Sequence, residues 1–94
     1  MTNKLYVMEY LVIREGMEPR DSHVRIELRK HAPDIQWAVT SFGDCLNKKT
    51  LQWDPEPRPS GRTKAWTKDR RFSTVEEALA CFEKWEEKYK NETA

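Results

Sequence analysis

The sequence predicts an α+β domain: an antiparallel sheet of three to five strands with one C-terminal helix packed on one face. Apolar residues alternate with a period of two through much of the first half of the chain. From Val75 to Tyr89 they recur instead at helical spacing. Between the two lies CLNKKTLQWDPEPRPSGRTKAW, residues 45–66, with Pro55, Pro57 and Pro59 on alternate positions. Proline lacks a backbone N–H and fixes its own φ, so this stretch is neither helix nor central strand. Strands, a long loop and a terminal helix, in that order, make two layers. At 94 residues, with no internal repeat, the chain reads as a single domain, 1–94.

The first expected strand is 4–14, KLYVMEYLVIR. Leu5, Val7, Leu11 and Ile13 share one face, and Tyr6, Met8, Tyr10 and Val12 the other. Two apolar faces suit a strand inside a sheet that is covered on one side and partly covered on the other. Gly16 and Pro19 mark 15–22 as a loop. The second strand, 23–30, alternates cleanly: Val24, Ile26 and Leu28 inward, Arg25, Glu27 and Arg29 outward. Pro33 turns the chain into a third strand, 35–42, ended by Gly43-Asp44, and a short fourth strand is expected at 51–53. The Pro-rich loop covers 54–63 as extended polyproline II or an edge excursion, with Trp53 and Trp66 expected to pin it. A helix is expected over 74–90. Its start fits a capping box with Ser73 as N-cap and Glu76 reaching back, or, one residue later, Thr74 with Glu77. Val75, Ala78, Leu79, Phe82, Trp85 and Tyr89 form its apolar stripe, and Lys88 and Lys90 suit its C-terminal end.

The composition is 37% hydrophobic and 35% charged, with four Trp, three Phe and three Tyr. That suits a small aromatic core under a very polar surface and excludes a disordered chain. A core of this size corresponds to a net stability of about 5–10 kcal/mol. No apolar run reaches the roughly 18 residues of a membrane span. Glu9 interrupts the N-terminal apolar run and no small-residue cleavage site follows, so a cytoplasmic protein is expected. In such a compartment Cys45 and Cys81 are expected as thiols, Cys81 in the core.

Chemistry-bearing patterns are sparse. His23, His31, Cys45 and Cys81 have no paired ligand spacing, so no metal is expected. Asp21-Ser22-His23 has the residues of a triad, but adjacent side chains point to opposite faces and do not form a relay. Three glycines provide no phosphate-cradling loop. Neither a catalytic residue, a cofactor nor a small-molecule substrate is expected, and the chain is not read as an enzyme.

Charge is segregated. Residues 48–72 carry eight basic and three acidic side chains, whereas 73–94 carry three basic and six acidic. A basic patch interleaved with tryptophans suits either an acidic surface on a partner protein or a nucleic-acid backbone with unpaired bases. The candidate partner-binding residues are Arg58, Arg62, Lys64, Trp66, Arg70 and Arg71, since Arg and Trp are frequent interface anchors. The first expectation is a non-catalytic protein binding a host protein or complex. The alternative is a nucleic-acid-binding module using the basic loop and the open sheet face with Arg25 and Arg29.

Residues 45–79 also carry a composite pattern. Cys45-Leu46-Asn47-Lys48 is followed by Trp53, Glu56-Pro57, Pro59-Ser60, Arg62, Arg71-Phe72, Thr74 and Glu76-Glu77-Ala78. This resembles a group of small uncharacterised proteins from tailed-phage accessory regions. The segment between Arg62 and Arg70 departs from that pattern in being more basic. The resemblance implies a phage or prophage setting, with anti-defence or host-takeover action as the corresponding expectation, and implies no activity.

Overall fold

The computed structural model describes residues 3, 5–31 and 33–93, with side chains up to Tyr89. Five strands form one antiparallel sheet: β1 (Glu9–Leu11), β2 (Val24–Lys30), β3 (Gln36–Ser41), β4 (Asp44–Leu46) and β5 (Trp53–Pro55). Their spatial order is their sequence order, β1-β2-β3-β4-β5. Two helices follow, α1 (Lys64–Arg70) and α2 (Val75–Thr93), and short 3₁₀ turns lie at Pro19–Asp21 and Pro59–Gly61. The α+β architecture with a C-terminal helix on a sheet is therefore present.

Register assigns the two faces. Ile26 opposes Val39, Leu28 opposes Trp37, and Leu46 opposes Trp53. Opposed residues share a face, so these side chains all look toward α2. Ile26, Val39, Leu46, Phe72, Ala78, Cys81 and Phe82 form the buried core, with Val12, Val24, Trp37, Trp53, Val75 and Trp85 packed around it. Arg25, Glu27, Thr40, Cys45 and Asp54 belong to the opposite, polar face, following the alternation expected for β2.

The first strand differs from its expectation. Its ladder covers only Glu9–Leu11, and it is an edge strand, not an interior one. The helix packs over β3 and β2. The outermost strand is therefore left uncovered, and Val12 alone of its expected apolar residues joins the core surroundings. Lys4, the expected first residue, lies outside the described residues.

The third strand ends one residue early because Phe42 and Gly43 both take positive φ, +49° and +83°. Two such residues make the tight turn that suits a twisted hairpin, and it leads into β4, a strand the sequence reading did not anticipate. The fourth expected strand, 51–53, is displaced to Trp53–Pro55. Asn47 causes the displacement. Its side-chain oxygen accepts from the N–H groups of Lys49 (2.8 Å) and Thr50 (3.2 Å), holding 47–52 as the turn between β4 and β5. Pro55 costs no ladder bond. Asn47 N–H bonds Gln52 and Glu56 N–H bonds Gly43, so by alternation the position of Pro55 faces away from β4.

Helix α1 was also unexpected. Thr63 caps it, its hydroxyl accepting from the Trp66 N–H at 3.1 Å. The cap of α2 is the later of the two frames. Glu77 N–H donates to the Thr74 hydroxyl (3.1 Å), and the Glu77 carboxylate accepts from the Ser73 N–H (3.2 Å). The helix extends to Thr93, beyond the expected end, and the side chain of Lys90 lies outside the described set. Ala78, Cys81 and Phe82 are buried, but Leu79 and Tyr89 are exposed, so the buried stripe is narrower than the apolar one. Tyr89 stacks on Trp85 with ring centroids 5.5 Å apart.

Leu46 is fully buried between sheet and helix. Leu46→Ala should cost about 2–5 kcal/mol, from lost burial plus the cavity left behind. A urea titration should show this as a lowered midpoint with an unchanged slope.

Candidate functional site

Three-residue β4 leaves part of the β3 edge unpaired. Phe72 fills it: the Phe72 and Trp37 backbones exchange two hydrogen bonds, each 2.8 Å. Because successive residues of extended chain point to opposite faces, Phe72 enters the core and Arg71 goes to the polar face. There the segment leading from β5 to Phe72 comes back over the sheet, tied down additionally by Lys48 N–H to Asp69 C=O at 2.8 Å.

Glu56 is the hub of this face. Its carboxylate accepts from Arg29 Nε (3.0 Å) and Nη2 (2.8 Å), a two-pronged pairing, and from Arg71 Nη2 (2.7 Å). Arg62 Nη2 stands 3.5 Å away. Arg71, only 6% exposed, also donates to the Arg70 carbonyl (3.0 Å) and lies 3.8 Å from Cys45 Sγ. A second pairing sits beside the first. Asp54 accepts from Arg70 Nε (3.0 Å) and Nη2 (2.7 Å) and from Asn47 Nδ2 (3.3 Å). The guanidiniums of Arg70 and Arg71 lie 4.9 and 5.1 Å from the Trp66 ring centroid, within cation–π range.

The electrostatics follow from this packing. Burial pushes the Glu56 carboxyl upward, but the hydrogen bonds and charges of Arg29 and Arg71 outweigh it and hold the group below the usual carboxylate value. The hydrogen bond to Glu56 raises Arg29 in turn, against the effect of its own burial. Burial raises the Cys45 thiol, Glu56 adds to the rise, and the nearby Arg71 and Arg29 do not cancel it. Burial likewise raises Cys81 against Lys48 and Lys84. Both cysteines are free and buried; raised, buried thiols are poor nucleophiles. A carboxylate held by several guanidiniums is a structural clamp and a poor proton carrier.

The six candidate residues separate into two sets. Arg62, Arg70 and Arg71 are engaged with Glu56 and Asp54. Arg62 also donates Nε to the Pro57 carbonyl at 2.9 Å, bracing the proline loop from inside. Trp66 is half-buried beside the two arginines. Arg58 and Lys64 are exposed, and their side chains have no partner among the described residues. Trp53 packs edge-on against Trp85 at 5.5 Å, so it belongs to the helix face and Trp66 to the polar face.

Comparison with known protein families, curated proteins and solved structures finds no match to this chain. The remaining sequence candidates are placed as follows. Ser22 is buried, its hydroxyl donating to the Val12 carbonyl, while exposed His23 lies against Phe42; no relay forms. Among the described residues no three His, Cys, Asp or Glu side chains converge as metal ligands, and no helix is long and apolar enough to cross a membrane.

Sequence reasoning missed Glu56 and Asp54, which organise this face. The signal was present in Asp54-Pro55-Glu56-Pro57: two acids alternating with prolines just before a run of arginines. Glu56→Gln should lower stability at neutral pH by about 3 kcal/mol, because it leaves buried Arg71 without its counter-charge. The folded-state value of Glu56 lies below its unfolded value. Its contribution is therefore present above the unfolded carboxylate range and is lost as pH falls through the folded value. Denaturation midpoints from neutral pH to about pH 3 should fall for the wild type and stay flatter for Glu56→Gln.

Proposed function

We propose that this chain is a small non-catalytic protein-binding module that takes an extended segment of a partner protein onto the free edge of β1. One observation carries the reading: β1 is an open edge strand flanked by exposed apolar side chains. Leu28 N–H bonds Met8 C=O and Val12 N–H bonds Val24 C=O, so residues 8, 10 and 12 face β2. By alternation, the backbone groups of Val7, Glu9, Leu11 and Ile13 face outward. Tyr6, Val7, Met8, Tyr10 and Ile13 are all more than 40% exposed. Outward backbone groups provide a ladder, and the alternate side chains provide specificity, in strand addition. The opposite edge is guarded by proline: β5 ends in Pro55, which has no N–H to offer outward, and Pro57 follows.

The partner we have in mind is a host protein or complex in the cytoplasm, of the anti-defence or host-takeover kind, on the resemblance of residues 45–79 to phage accessory proteins. Arg58 and Lys64 are available to add contacts from the loop. A nucleic-acid reading through the same loop has less support, because three of its four arginines are already engaged by Glu56 and Asp54.

Leu11→Pro tests the reading, since it removes an outward N–H and no bond to β2. The variant should keep the wild-type circular dichroism spectrum. In tagged capture from host lysate it should lose the wild-type partner by about tenfold or more, as expected when strand addition supplies the main-chain bonds. Equal capture by the variant, or no specific partner for the wild type, would defeat the proposal.

A further inference from the structure

The polar face holds a second feature that strand addition does not use. A cavity of about 340 Å³ opens beside the β2–β3 hairpin, lined by Arg20, His23, Arg25, Arg29 and Phe42, with Glu27 and Thr40 also at its surface. Its volume is within the range of small-ligand sites, roughly 300–1,000 Å³. Three guanidiniums face one carboxylate, and that carboxylate is already engaged: Glu27 accepts from the Thr40 hydroxyl and lies 3.5 Å from Arg29 Nη2.

Each arginine retains donors. Arg20 is exposed and has no partner among the described residues. Arg25 pairs with Glu9 through Nε at 2.9 Å, with both side chains about half exposed, an arrangement that an incoming anion displaces at little cost. Arg29 is fixed by Glu56 through Nε and Nη2, leaving Nη1 without a partner among the described residues. A guanidinium immobilised in this way loses less freedom on binding an anion.

Phe42 is the second, independent observation. It occupies a left-handed turn position, φ +49°, where Gly, Asn or Asp is the unstrained choice. Its side chain does not repay that strain by burial, since it is 81% exposed. The ring lies against His23, centroids 4.6 Å apart, at the cavity rim. A strained, exposed aromatic beside a cluster of arginines has the parts that recognise a nucleotide: a flat ring for the base and guanidiniums for the phosphate.

We propose that this cavity binds a nucleotide unit, free or within a single strand, with the base against Phe42 and His23 and the phosphate on Arg20, Arg25 and Arg29. The site meets β1 through the Arg25–Glu9 pair and uses none of its outward backbone groups, so either proposal stands or falls without the other.

The test is titration of the intact chain at low salt with AMP, a fluorescent short oligothymidylate and inorganic phosphate. AMP or the oligonucleotide should bind more tightly than phosphate. A much tighter oligonucleotide assigns the ligand to a single strand, and equal affinities assign it to a free nucleotide. Phe42→Gly should weaken binding about tenfold by removing the stacking ring, while its thermal midpoint holds or rises because the turn strain is relieved. Arg20→Gln, a surface change that leaves the core intact, should weaken binding to a similar degree, and Arg58→Glu with Lys64→Glu should not. Phosphate binding as tightly as AMP, unchanged affinity in Phe42→Gly, dependence on Arg58 and Lys64 instead of Arg20, or no binding to any probe would each overturn the assignment.

Discussion

The paired hydrogen bonds between Trp37 and Phe72 govern the layout of the second half of this chain. They hold one residue of extended chain against the sheet between two helices. Strand alternation does the rest, sending Phe72 into the core and Arg71 to the polar face. Without that anchor, neither the Glu56 clamp nor the start of α2 over the sheet has a fixed position. A short β4 is what makes room for it, and β4 is short because Asn47 turns the chain at once.

The polar face shows why segment charge is a poor guide to surface charge. Residues 48–72 look strongly basic in sequence. In the fold, much of that charge is spent internally, with Arg70 and Arg71 on acids that also come from the loop and Arg29 arriving from β2. A lone buried guanidinium is costly, and the pairing with Glu56 removes most of that cost without making the cluster a large net source of stability. Its contribution is geometric: it fixes one path for a proline-rich excursion that has few ladder bonds of its own.

Much of the fold was legible because it depended on local periodicity. The β2 alternation and the α2 stripe with its cap are readable within a few residues. What was not legible depended on distant pairings. Nothing in KLYVMEYLVIR states that the helix stops short of covering it; that follows from where Phe72 fastens the chain. Likewise β4 is three residues of ordinary composition, made a strand by its neighbours on both sides. Helix α1 is a single short segment capped by Thr63, and KAWTKDR, with three basic residues and one tryptophan, is not distinctive enough to announce it. At the candidate site, Arg62, Arg70, Arg71 and Trp66 form a group in the sequence and assemble together in the fold. Their carboxylate partners are hard to read from sequence because acids within a basic stretch look like exceptions to the pattern.

The sheet order has a kinetic side. Every ladder joins strands adjacent in sequence, so the sheet can grow hairpin by hairpin, with low contact order and small closure entropy at each step. The Trp37–Phe72 bridge spans the widest sequence separation of any pairing in the sheet. The proline-rich excursion is therefore the segment whose docking waits on the rest. Arg71 reaches Glu56 only across that closure, so the polar clamp carries the largest closure entropy of any contact the sheet fixes.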